Sequence, residues 1–213
     1  MRLRTKLWPL AGAGVAIAIA IAASLLLPQD KGRQPASDVN SVTNDLCIVA
    51  PPTPYDPASG LAMLAPRPLP ADARCPVCGM YPARFPRWAA QVIFRDGYAH
   101  YFDSPVDLFV FLQRVDRYNR RYTLGDVAAS HVTDFETGQW LEAKNAVFVH
   151  GSSVFGPMRD ADLPAFASRK AADGFARSRG GKVLTFSQVT PELLRTLSRN
   201  VHHRHGHPDG IRE

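Results

Sequence analysis

Cysteine is scarce in this chain, with 3 thiols in 213 residues. That excludes a scaffold stapled by disulfides. With 46% hydrophobic residues the chain can build a core instead. An odd count in an exported protein leaves one pair plus a reactive thiol, or a metal site. Other absences narrow the field further. There is no nucleophile elbow, no glycine-rich phosphate loop and no dinucleotide fingerprint. Asp and Glu are scattered without an evident acid–base pair, so no enzymatic activity is expected. The net charge of +6 is not gathered into one stripe. Arg2, Arg4 and Lys6 open the chain. Arg114, Arg117, Arg120 and Arg121 follow one helical stretch, and Arg169, Lys170, Arg177, Arg179 and Lys182 dot another. No run is interleaved with stacking aromatics, so nucleic acid is not an expected partner. A solvated face or anionic lipid headgroups fit the pattern better.

What is present begins with a targeting signal. Three basic residues precede the uncharged run Leu7 to Leu27, which is long enough to span a bilayer. The basic flank stays on the cytoplasmic side and the remainder faces the periplasm. A cleaved signal peptide is the competing reading, with Ile21-Ala22-Ala23-Ser24 as its cut site. The apolar run continues through Leu25-Leu26-Leu27 and favours an uncleaved inner-membrane anchor over residues 1–28. Residues 29–70 are rich in Pro, Ala, Ser and Asp and read as a tether. Within it, Leu46-Cys47-Ile48-Val49 and Leu61-Ala62-Met63-Leu64 are candidates for docking on the folded part.

The folded domain is expected over 71–200. Trp88 to Phe94, the turn Asp96-Gly97 and Tyr98 to Phe102 form a β-hairpin pattern. Ser104-Pro105 supplies an N-cap and a first-turn proline for a helix from Val106 to Tyr118. A similar plan follows: strands at His131–Phe135 and Asn145–His150 around Thr137-Gly138, then a helix capped by Ser168 and ended by Gly180-Gly181. A strand at Lys182–Phe186 and a short helix from Thr190-Pro191 through Leu197 complete it. The order of elements gives an α+β fold of two small ββα-type units, about 74–125 and 128–200. The His-rich residues 201–213 are expected to form a mobile tail.

The densest chemistry is Cys75-Pro76-Val77-Cys78-Gly79-Met80. Thiolate and thioether sulfur are soft ligands, and Cu(I) is the softest common biological metal. Structural zinc would need further ligands at recognisable spacing, and only Cys47 remains. Thiol–disulfide exchange, with Cys75 attacking and Cys78 resolving, is the alternative. That motif belongs at the start of a helix in a βαβ pattern, whereas here Gly79, Pro82 and Pro86 oppose a helix. An interaction module without metal is the third reading. Met80 reads either as a core gap-filler or as a third sulfur ligand. Met158, in Gly156-Pro157-Met158, reads as a loop-anchoring hydrophobe. His100, His131 and His150 read as packed or surface side chains rather than ligands.

These segments together resemble the NosL family, accessory proteins of nitrous oxide reductase maturation. The resemblance spans about Arg74 to Val189. It rests on Cys75 to Met80, Phe85-Pro86-Arg87-Trp88, Phe102-Asp103, Val132-Thr133-Asp134, Gly151-Ser152, Gly156-Pro157-Met158, Pro164 with Phe166, and Gly180 to Leu184. It implies two ββα-type units similar in topology to part of organomercurial lyase. It also implies Cu(I) as the metal and a periplasmic factor and an ABC transporter as partners, with copper fed toward the reductase. Cys78-Gly79-Met80 matches the family's Cys-x-Met core, Cys75 joins it as a ligand, and Met158 becomes an additional one. One departure stands out: members are commonly lipoproteins, whereas this chain has Leu25-Leu26-Leu27-Pro28 where a lipid-bearing Cys belongs. An anchoring helix is expected in its place.

Overall fold

The computed structural model describes residues 50–203, with side chains through 197. The apolar run at 7–27, most of the expected tether, Cys47 and the tail beyond His203 lie outside the described residues. Among the described residues no helix is long and apolar enough to cross a membrane.

Two antiparallel sheets repeat one plan. In the first, β1 (Ala90–Phe94) lies between β2 (Ala99–Phe102) and β3 (Val127–Thr133), and β4 (Trp140–Glu142) extends the β3 edge. Helices α1 (Pro105–Gln113) and α2 (Val115–Tyr118) connect β2 to β3. In the second, β5 (Val147–His150) lies between β6 (Ala165–Phe166) and β7 (Lys182–Thr185), and α3 (Arg169–Arg179) connects β6 to β7. Both halves therefore run strand, strand, helix, strand, with the first strand in the middle. Helix α4 (Pro191–His203) follows, carrying the helical backbone beyond the expected Leu197 to His203.

This differs from the expected division near residue 128. β3 does not open the second half; it pairs with β1, with Ala90 opposite Val132 and Val92 opposite Ser130. Every residue of β1 is buried, so its backbone groups need a neighbour on each side. β2 fills one side and β3 the other. The turn at Thr137-Gly138 leads into β4 rather than toward Asn145, closed by Gly138 N–H donating to the Asp134 carbonyl at 2.8 Å. The expected single helix 106–118 is interrupted at Arg114, whose ψ of 56° leaves the helical region.

The core lies between α1 and both sheets. Phe94, Phe102, Leu108 and Phe111 are fully buried. Phe109 reaches from α1 to Phe148 of the second sheet, ring centroids 5.2 Å apart. His100 sits inside this cluster, edge-on to Phe111 at 5.3 Å. Its Nε2 accepts from Asn119 Nδ2 at 3.0 Å, which assigns a neutral ring. Burial accordingly lowers its pKa to about 4.

Within the expected tether, residues 50–69 are held to the first sheet at several points while remaining largely exposed. Thr53 and Ala99 exchange two backbone hydrogen bonds of 2.8 Å, which covers the β2 edge. The buried Gln91 amide accepts from Arg67 N–H at 3.0 Å and donates to the Arg67 carbonyl at 3.1 Å. Arg67 Nη2 donates to the carbonyls of Met63 and Gly97, at 2.8 and 2.6 Å. Gly97 needs its glycine twice over. Its φ is +84°, and a Cβ there would lie 2.8 Å from Tyr55 Cβ.

Gln91→Leu strands the buried N–H and C=O of Arg67, so unfolding free energy in urea falls by about 2–4 kcal/mol. His100 refuses a proton that the unfolded chain accepts. Stability should therefore fall as pH drops from the ordinary histidine range toward 4, by about 3 kcal/mol in total. His100→Gln should shrink that acid-dependent loss in denaturation curves taken at stepped pH.

Candidate metal centre

The cysteine loop closes on itself. Cys75 N–H donates to the Met80 carbonyl at 2.8 Å, and Gly79 N–H to the Cys75 carbonyl at 2.9 Å. Gly79 takes φ +77°, a left-handed conformation that lets the chain turn back. Pro76, Val77 and Cys78 form the turn between, so both sulfurs point to one side, toward the start of α1.

The opposing wall comes from the end of β2. Asp103 follows its last residue and is fully buried. Ser104 caps α1, its Oγ accepting from Asp107 N–H at 3.2 Å. That cap fixes Asp107 in the first helical turn. Cys78 Sγ donates to Asp103 Oδ1 at 2.9 Å, and Cys75 Sγ to Asp107 Oδ2 at 3.2 Å. One ligand atom from each of Cys75, Cys78, Asp103 and Asp107 can be chosen so that all lie within 4.8 Å of one another. The second oxygen of Asp103 is buried without a hydrogen bond among the described residues. A buried carboxylate oxygen left unpaired beside two thiols fits a bound cation.

The electrostatics favour the protonated form of both thiols. Burial pushes the Cys75 thiol far up, helped by the neighbouring Cys78 sulfur and the negative field of Asp107. For Cys78 the neighbouring Cys75 thiol pulls down. Burial and the two aspartates outweigh it, and the net shift is upward. Burial raises Asp107 to about 6, against the lowering effect of the Cys78 hydrogen bond. No basic side chain forms an ion pair with the cluster among the described residues.

Of the residues singled out in the sequence, the structure brings Cys75 and Cys78 together. Met80 ends the same loop, half-buried, with its carbonyl closing the turn. Met158 stands on a different loop and is 58% exposed. That loop is nonetheless fixed to the centre's framework. The buried Asp162 accepts from Val106 N–H at 3.3 Å, next to Asp107. A Cβ on Gly156 would lie 2.3 Å from Asp162 Oδ2, so only glycine fits there. Burial raises Asp162 to about 7.

Sequence reasoning missed Asp103 and Asp107 as wall residues. An acidic residue in a first helical turn is ordinary capping chemistry and draws no notice. The second half of the fold shows what the aspartates add. There Phe166-Ala167-Ser168 stands where the first half has Phe102-Asp103-Ser104. Ser168 caps α3 by accepting from Ala171 N–H, the counterpart of Asp107. The helix cap is repeated, and both carboxylates are replaced by alanine.

Comparison with known proteins places these features in a family. The NosL family model matches residues 66–194. A copper-binding lipoprotein NosL from Stutzerimonas stutzeri is 29% identical over 129 residues, 60% of this chain and 67% of that protein. The crystal structure of the copper chaperone NosL from Shewanella denitrificans superposes with a TM-score of 0.50 at 23% identity, covering 61% of this chain and 98% of that one. The last likeness is one of fold. These relatives are named for binding and chaperoning copper and not for a reaction.

Thiolate is the reactive form of cysteine, so raised thiol pKa values mean slow alkylation. In the metal-free protein at pH 7.5, iodoacetamide should modify Cys75 and Cys78 at least about tenfold more slowly than free cysteine. Asp107→Asn should speed the reaction, as followed by mass spectrometry.

Proposed function

Because the chain belongs to the NosL family, we propose that it is a Cu(I) carrier, held at the membrane by residues 7–27 with its domain in the periplasm. The observation that supports this most is the convergence of Cys75 and Cys78 with an unpaired, buried oxygen of Asp103 in one partly buried site. Copper is cargo here rather than a resident cofactor. Cys75 and Cys78 supply the soft ligands, and Met80 adds a thioether from the same loop. Met158, exposed on the loop hooked to Asp162, serves as the ligand met when copper enters or leaves. The client is nitrous oxide reductase, reached with a periplasmic factor and an ABC transporter.

Thiol–disulfide exchange is the weaker reading on physical grounds. It needs an attacking thiol whose pKa is depressed, and both thiols here are pushed the other way. Zinc deserves a control, since two thiols with two carboxylates also make a tetrahedral Zn(II) set.

Anaerobic titration of the reduced protein against a chromophoric Cu(I) chelator tests the proposal. One equivalent of Cu(I) should bind. Cys78→Ser should weaken it by about a hundredfold or more, and Met80→Ala by about tenfold. Uptake displaces thiol protons, so affinity should rise with pH, about tenfold per unit for each proton released. No uptake, or Zn(II) taken in preference to Cu(I), would overturn the reading.

A further inference from the structure

Arg74 and Arg84 flank the cysteine loop on the Tyr81 ring, and Arg87 follows in sequence. Arg74 precedes Cys75, and Arg84 and Arg87 follow Met80 closely; all three are exposed. Arg74 and Arg84 both stack on Tyr81, the residue after Met80, with guanidinium carbons 4.3 and 4.7 Å from its ring centroid. Arg74 also donates to the Tyr81 hydroxyl, and to the Gly79 carbonyl at 3.3 Å. Arg87 lies over Phe135 at 5.2 Å and donates to the carbonyls of Phe135 and Glu136, at 3.0 and 3.2 Å.

None of the three has an acidic partner among the described residues. Elsewhere on the surface arginines do pair with acids, Arg121 with Asp96 and Arg195 with Glu192 for example. Asp72, the nearest acid in sequence, forms no ion pair with them. Two like charges gathered on one aromatic ring repel each other, and an anion bound between them would relieve that repulsion. Stacking and carbonyl hydrogen bonds already restrict these side chains, which lowers the entropy lost when an anion binds. Each guanidinium keeps N–H groups free in a planar fork that matches a carboxylate.

We infer that Arg74 and Arg84, gathered on Tyr81, form a docking surface for an acidic protein partner, placed so that the partner meets the cysteine loop. Its purpose rests on the copper-carrier reading, since handing over a metal requires the acceptor's ligand to approach the loop itself. Electrostatic attraction aligns such an encounter and speeds it, and it weakens with salt. A protein is favoured over a lipid surface because these guanidiniums are each held in place by stacking on Tyr81, which suits defined carboxylate contacts. A diffuse lysine-rich face would suffice for headgroups.

The test uses the full chain in neutral detergent, without metal. The probes are a synthetic glutamate-rich peptide lacking Cys and Met, and its glutamine twin. The acidic peptide should bind and shift the NMR signals of Tyr81 and Arg74; the twin should not. Arg84→Glu should weaken binding by about threefold to tenfold, and about 0.5 M salt should abolish it. Cu(I) affinity should be the same in Arg84→Glu and the parent. The inference fails if the acidic peptide does not bind, or if it binds Arg84→Glu as well as the parent. It also fails if only phosphatidylglycerol vesicles bind in an Arg84-dependent way, which would make the arginine pair a lipid contact. A drop in Cu(I) affinity in Arg84→Glu would assign the pair to the metal centre instead. Peptide docking without Cu(I) uptake would sink the carrier reading and leave the acidic-peptide surface standing.

Discussion

Two thiol–carboxylate hydrogen bonds, Cys78 to Asp103 and Cys75 to Asp107, join the cysteine loop to the framework of the fold. The loop itself is short and contains no regular element. Its position is set by what it leans on, and that wall is rigid: the end of a buried strand, a serine-capped turn and the first turn of α1. Asp162 extends the same framework to a second loop through Val106 N–H. The fold thus presents two sulfurs from a loop to two carboxylates from regular structure. The site is partly buried and acidic, and its surroundings favour the protonated form of both thiols.

The duplicated plan clarifies why only one half does this work. Both halves run strand, strand, helix, strand, and both helices begin with a serine cap. The scaffold needs the cap wherever a helix leaves the sheet at this corner. It does not need the carboxylates, and the second half has Ala167 and Ala171 in their places. Asp103 and Asp107 are therefore not required by the repeated helix cap, which supports their place in the proposed metal site.

Much of this was readable in the chain. Asp96-Gly97 marked the first hairpin, Ser104-Pro105 and Ser168 marked both helix starts, and the spacing of Cys75, Cys78 and Met80 marked the loop. Local chemistry carries these signals. What the sequence did not disclose depends on partners far apart in the chain. β3 joins β1 because a fully buried strand needs two neighbours, and no local feature of Val127–Thr133 states which strand it will meet. Residues 50–69 looked like a tether because they lack period, yet Arg67 is held by Gln91 across a sequence gap. The family match likewise begins at residue 66, beside that contact. Asp103 stood in the Phe102-Asp103 segment of the resemblance without a role, and Asp107 was hidden because it reads locally as a helix-start residue.

The most direct test is copper-edge X-ray absorption on the Cu(I)-loaded protein, comparing the parent with Cys75→Ser and Cys78→Ser. The account predicts a sulfur-dominated shell that loses one sulfur scatterer in each variant. A shell dominated by nitrogen, as the tail histidines would supply, or one unchanged by both substitutions, would contradict it.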